Sequence, residues 1–302
     1  MVLVNHEKFG RSQAALDFLV RRAIRIVPLY WLMSALMVLL LVFLPQAFGT
    51  LTFRLGQAIE SFLFIPTTSS AGEFVPVLAV GWTLSYEVLF YVAFAAMLPT
   101  SLRSSLALTG VVFGIAAGIG YLRTSTGPLD SMLFSDLLLE FVLGECLALR
   151  ILRRAALAPR TSRLLLALAL TVFVAHVFIG DLGVARLLST GLPAAALVLA
   201  LVSLDWRERL RLPAWLRRVG DESYSLYLSH LITNSVFFKL CVATRVDRFV
   251  PVDVLIPLAV LNAVGWGHLL HRWVERPMTQ RLTRAWQRVL RDLRERAMQV
   301  VG

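Results

Sequence analysis

Residues 21–44 read RRAIRIVPLYWLMSALMVLLLVFL: Arg21, Arg22 and Arg25 crowd the start, and no charged side chain follows from Val27 to Leu44. About 20 apolar residues in helical form cross the hydrocarbon core of a bilayer. A helix suits that core because it satisfies its own backbone hydrogen bonds. The stretch therefore reads as a membrane span whose entrance carries a cluster of guanidiniums.

Working outward, the apolar pattern recurs. Further runs lie at Trp82–Leu98, Ser105–Leu122, Ser131–Leu149, Leu164–Ile179, Leu182–Leu204, Ser223–Val242 and Val252–Leu270. With the first run, Val27–Leu44, they predict an all-α, polytopic transmembrane helical bundle of about eight spans. Composition agrees, at 58% hydrophobic and 16% charged, where soluble domains carry roughly a quarter charged residues. Ile59–Ile65, inside the connector Pro45–Gly81, is too short to span and reads as a re-entrant or interfacial piece.

All but six of the 30 Lys and Arg fall in alternate connectors. The six are Arg54, Arg123, Arg186, Lys239, Arg245 and Arg248. The positive-inside rule then places both termini in the cytoplasm. One domain is expected over 1–302: a basic segment over 1–26, spans over 27–270, and a basic amphipathic tail over 271–302 lying on the inner membrane surface. Arg276-Pro277 should break or turn the last helix. The net charge of +11 would suggest nucleic acid in a soluble chain, but its placement at the ends of apolar runs argues for membrane anchoring. Cys146 and Cys241 sit in apolar runs without a CxxC, so no metal site or disulfide is expected and both read as small buried residues. Met1–Val4 is too short for the apolar core of a signal peptide.

Polar residues inside spans are costly and mark candidate sites. Glu87 lies early in the second span, with Tyr91 one turn further on the same face. Tyr227, His230 and Asn234 form a stripe at i, i+3 and i+7. His230 reads either as an acid/base group or as an interhelical hydrogen-bonding residue, and Glu87 either as a base or proton relay or as a partner for an arginine. His176 reads as structural. Asp136, Glu140 and Gly144 share a face, with Glu145 close by, that should look into the bundle. Arg21, Arg22 and Arg25 share one helix face, which suits phosphate binding or plain topological anchoring.

Taken together, these places resemble the acyltransferase-3 family of membrane O-acyltransferases. The segment from Phe18 through Arg22 and Arg25 to Trp31 is similar to that family's Arg-rich landmark. Phe64-Ile-Pro66, Gly81-Trp-Thr-Leu-Ser-Tyr-Glu-Val-Leu-Phe-Tyr91, Ser223-Tyr-Ser-Leu-Tyr-Leu-Ser-His230 and Glu275-Arg-Pro277 resemble its later landmarks, in order, over about residues 11–280. The resemblance implies transfer of an acetyl or similar group from acyl-CoA, as co-substrate and without a further cofactor, to a hydroxyl of a carbohydrate or lipid-linked glycan. It implies location in a bacterial inner membrane. It places Arg22 and Arg25, with Arg21 beside them, at the donor, and Trp82 with Glu87 at the site. It also implies ten spans, with a catalytic histidine on a leading helix; Met1–Val4 is similar to the tail of the second of those spans. His6, in a polar segment, does not replace that histidine, which leaves His230 and Glu87 as the catalytic candidates of the sequence from Met1 onward. The competing readings are a transporter or flippase using Glu87, Glu140 and His230, and a non-catalytic scaffold.

Overall fold

The computed structural model describes residues 1–10, 13–48, 52–124, 126–180, 186–208, 210 and 212–301. These residues form helices and connecting turns, with no strand among them. All eight expected runs are mainly helical where described; 182–185 of the sixth, and Arg11, Arg209 and Arg211, lie outside the described residues. Six helices among the described residues are long and apolar enough to cross a membrane. The fourth and fifth runs form helices outside that six. The fourth is interrupted at Phe134–Asp136, which leaves a main helix of 16 residues.

The chain packs as two units, one of 1–16 and 86–211, the other of 17–85 and 212–302. The chain passes from one unit to the other inside two helices, between Leu16 and Asp17 and between Ser85 and Tyr86.

The first unit contains α1 (Val2–Asn5), the larger part of α4 (Trp82–Met97), α5 (Leu102–Leu122), α6 (Pro128–Leu133), α7 (Leu137–Leu152), α8 (Pro159–Ile179) and α9 (Leu192–Glu208). Phe90 is its aromatic centre. Its ring stacks on Phe141 at 4.5 Å and meets Phe113 at 6.2 Å. Ser101 caps α5 by accepting from the Ser104 amide.

The second unit holds α2 (Gln13–Phe43) from Asp17 onward, α3 (Leu55–Phe62), the start of α4, α10 (Ala214–Asp221), α11 (Ser223–Ala243), α12 (Val252–Leu270) and α13 (Arg276–Val301). α11 and α12 run antiparallel. Glu222 meets His268 at one end, and Asn262 donates to the Thr233 carbonyl further along. Gly267 permits the close crossing between them, since a Cβ there would stand 2.9 Å from the Leu226 Cα.

α3 is the re-entrant piece. At eight residues it cannot cross a bilayer, and its last carbonyls need partners. α2 supplies them: the Tyr30 hydroxyl donates to Ser61 O at 3.1 Å, and the Trp31 indole N–H donates to Phe62 O at 2.8 Å. Phe64 then takes a left-handed φ of 59° to turn the chain back, with its ring 4.7 Å from that of Tyr30. Ser61 Oγ accepts from the Val77 amide and Gln57 donates to Val75 O, which positions the approach to α4. Gly81 closes this interlock, because a Cβ there would lie 2.6 Å from Tyr30 Cε2.

The expected break at Arg276-Pro277 does not occur. Helix continues from Val252 to Leu293, passing through a π segment at His271–Glu275 where the Arg276 amide bonds to His271 O. Proline in a regular α-helix lacks one hydrogen bond and clashes with the carbonyl four residues back. The wider π turn immediately before Pro277 gives that carbonyl room, so the helix bends its bonding pattern instead of ending. Two smaller expectations also change. Cys146 is exposed, although Cys241 is buried as expected. On α7 the buried acid is Glu145, whereas Asp136 and Glu140 are half-exposed and Gly144 is exposed.

Candidate functional site

At about 1.5 Å per residue, α2 with its 31 residues is about 46 Å long, well beyond a hydrocarbon core of roughly 30 Å. Its Arg-bearing half is the part that overshoots. α12, the π segment and α13 overshoot in the same way, since their unbroken helix runs over 42 residues to Leu293. The two overhangs are pinned together at two levels. Asp17 Oδ1 accepts from the Trp286 indole N–H at 3.0 Å and from Arg21 Nε at 2.8 Å. Deeper, Arg25 pairs with Glu275.

Glu275 has three side-chain hydrogen-bond partners. Its side chain is 1% exposed. One carboxylate oxygen takes Arg25 Nη1 at 2.6 Å. The other takes the Ser225 hydroxyl at 2.6 Å and His271 Nδ1 at 2.9 Å. A buried carboxylate is tolerated only when charge and hydrogen bonds compensate it, and three helices contribute here. Arg25 also lies over the Tyr224 ring at 5.7 Å, and the Tyr224 hydroxyl donates to Ile26 O. Arg22 stands over the Phe18 ring at 5.5 Å.

About 3 Å further along α11 from Ser225, by helical rise, the polar stripe begins. Tyr227 donates to Val80 O at 2.6 Å and therefore accepts from the Thr83 hydroxyl, also at 2.6 Å. That contact ties the stripe to Gly81-Trp82-Thr83 at the start of α4; Trp82 itself is half-buried. His230 Nδ1 lies 2.8 Å from Tyr227 O. A carbonyl only accepts, so Nδ1 carries the hydrogen and a neutral His230 keeps its lone pair on Nε2. Asn234, one turn on, has a buried Oδ1 with no hydrogen-bond partner among the described residues.

Glu87 belongs to the first unit, where the Tyr91 hydroxyl donates to it at 2.6 Å, as their spacing predicts. In the same unit Glu140 pairs with Arg186 at 3.3 Å. Among the described residues, Glu145 has both carboxylate oxygens buried without a hydrogen bond, and His176 Nδ1 is likewise buried and unbonded.

The structure thus brings Arg25, Tyr227, His230 and Asn234 into one unit with Arg21 and Arg22, and places Glu87 and Tyr91 in the other. Reading the sequence for sites passed over Ser225, His271 and Glu275. The signal was present in part, because Glu275-Arg-Pro277 and the Arg21–Arg25 cluster each stood out alone. Nothing in their spacing linked them.

The sequence matches the acyltransferase-3 family, described as an acyltransferase domain, over residues 4–266. It is similar to the exopolysaccharide production protein ExoZ of Rhizobium meliloti (strain 1021), with 34% identity over 281 residues that cover 90% of this chain and 83% of that protein. No solved structure matches the chain.

Proposed function

The chain belongs to the acyltransferase-3 family, and we propose that it moves an acyl group, such as acetyl, from acyl-CoA to a hydroxyl of a polysaccharide or of its lipid-linked precursor. The name of the Rhizobium relative, an exopolysaccharide production protein, supports the choice of acceptor. Family membership favours transfer over the transporter reading. The bacterial inner membrane is the proposed location, with the arginine-rich overhangs and both chain ends on the cytoplasmic side.

The observation that carries the proposal is the His230–Asn234 pair. The reaction needs a group that accepts the proton of an attacking hydroxyl. His230 offers Nε2, with the imidazole held by Tyr227 O through Nδ1. Asn234 Oδ1 is a buried acceptor one turn away with no partner among the described residues; it would take a hydrogen bond from a second hydroxyl of the acceptor, since the one hydrogen of the attacking hydroxyl goes to His230. The hydroxyl oxygen bonds to the thioester carbonyl carbon and its proton passes to His230. The carbon–sulfur bond breaks, and the departing thiolate takes up the proton. Glu87 is the second acid/base candidate, with its carboxylate held by Tyr91. Arg22 and Arg25, with Arg21 beside them, would face the donor side, and Trp82 would help shape the site.

The test is transfer from acetyl-CoA labelled in the acetyl group, using purified protein in proteoliposomes with exopolysaccharide oligosaccharides as acceptor. Base-labile label on the sugar is the expected result. Absence of label on any hydroxyl acceptor, with protein that still binds coenzyme A, overturns the reading.

A further inference from the structure

The arginines that stood out in the sequence are already engaged: Arg21 with Asp17, Arg25 with Glu275, and Arg22 over Phe18. A different set surrounds an open cavity of about 650 Å³ in the second unit, lined by Arg218, Asp221, Glu222, His268, His271, Arg272 and Arg276. That volume falls within the range of small-molecule sites. Arg218 comes from α10, while Arg272 and Arg276 come from the π segment and the first residue of α13. All three are exposed, and none forms an ion pair with another described residue; Arg272 lies over the Trp273 ring at 5.8 Å, a contact that leaves its N–H donors free for an anion.

The acids in the cavity wall do not cancel this charge. Glu222 is buried, and its Oε1 is taken by His268 Nδ1 at 2.8 Å. Asp221 is exposed and leaves three guanidiniums facing one open carboxylate. His271 connects the cavity to the buried pair, since it lines the wall and donates through Nδ1 to Glu275. Guanidiniums bind phosphate oxygens in paired, charge-assisted hydrogen bonds. The π turn matters here: it sets Arg272 and Arg276 on the cavity side while Glu275 turns inward.

We infer that this cavity, and not the Arg21–Arg25 cluster, is the phosphate-binding site of the protein, and that the phosphates it takes are those of the acyl-CoA donor. Arg218, Arg272 and Arg276 bind them, and Arg25 acts as a positioning residue by holding Glu275 and, through it, His271. The donor identity rests on the proposed function above; the anion chemistry of the cavity does not.

The experiment measures binding of coenzyme A, of pantetheine (the same arm without phosphates) and of inorganic pyrophosphate to the purified full chain in detergent. Arg272→Gln/Arg276→Gln and, on another helix, Arg218→Gln are compared with the unaltered protein, after matched thermal unfolding shows that each is folded. Expected is a loss in coenzyme A affinity of about tenfold or more in the double variant, a smaller loss in Arg218→Gln, and little change for pantetheine. Pyrophosphate should compete with coenzyme A in the unaltered protein only. An unchanged ratio of coenzyme A to pantetheine affinity in the folded variants overturns the site. So does loss of binding to phosphatidylglycerol vesicles with coenzyme A affinity intact, which would make the cavity a lipid headgroup site. If coenzyme A binds here but no acyl group is ever transferred, the proposed function fails and the site stands. If transfer proceeds with an unchanged KM for acetyl-CoA in the variants, the site fails and the function stands.

Discussion

Arg25 and Glu275 are 250 positions apart in the sequence and 2.6 Å apart in the structure. The carboxylate is fully buried while the guanidinium is 43% exposed. Removing the exposed partner therefore leaves a buried negative charge with only Ser225 and His271 to compensate it.

Arg25→Ala is expected to destabilise the protein by about 1–3 kcal/mol, below the range for fully buried pairs because the arginine is partly solvated. Arg25→Ala combined with Glu275→Gln should cost less than the two single changes added together. Thermal unfolding of the four proteins in one detergent provides the cycle; strict additivity would mean that the pair contributes no coupling.

Gly81→Ala should cost about 1–3 kcal/mol through overpacking, because the new methyl would meet the Tyr30 ring at 2.6 Å. Gly114→Ala, where nothing lies within 4 Å, is the control and should be neutral or better. Equal unfolding temperatures for the two variants would contradict the Tyr30–Gly81 interlock.

Tyr30→Phe keeps the ring and removes the hydroxyl that caps Ser61 O. Ser61 O keeps the Phe64 amide as a partner at 3.0 Å, so the lost bond should cost about 0.5–1.5 kcal/mol. The change should also loosen the turn at Phe64, and faster amide exchange at Ile65 and Val77 is the signal to look for.

His230→Gln is expected to lower acyl transfer by about 10²–10⁴-fold, the usual contribution of a general base, while coenzyme A affinity holds. The comparison with His176→Gln is informative, since His176 lies in the first unit and is read as structural. Similar activity losses in both variants would remove His230 from the chemistry.

The helices were legible because lipid leaves the backbone few alternatives, so the apolar runs alone located them. Local contacts were legible too: the one-turn spacing of Glu87 and Tyr91 becomes a hydrogen bond. Periodicity identifies a face but not what the face meets. That is why Glu275 and Arg25 were noticed separately and not as a pair, and why Glu145, next to the more obvious Glu140, was not singled out as the buried acid. Pro277 misled for a related reason. A proline predicts that the regular bonding pattern must yield, but whether it yields by breaking or by widening depends on neighbours that one sequence does not reveal.

The π segment at His271–Glu275 is, in effect, a phase setting for the whole of α13. Each residue added to or removed from a helix rotates the downstream residues by about 100°. The wide turn takes up one such extra residue, so deleting it would turn the Arg276–His271 bond into an ordinary four-residue one and return Pro277 to its clash with the carbonyl four residues back. The protein should therefore tolerate most substitutions of Val274, on the half-buried side of this turn, far better than its loss.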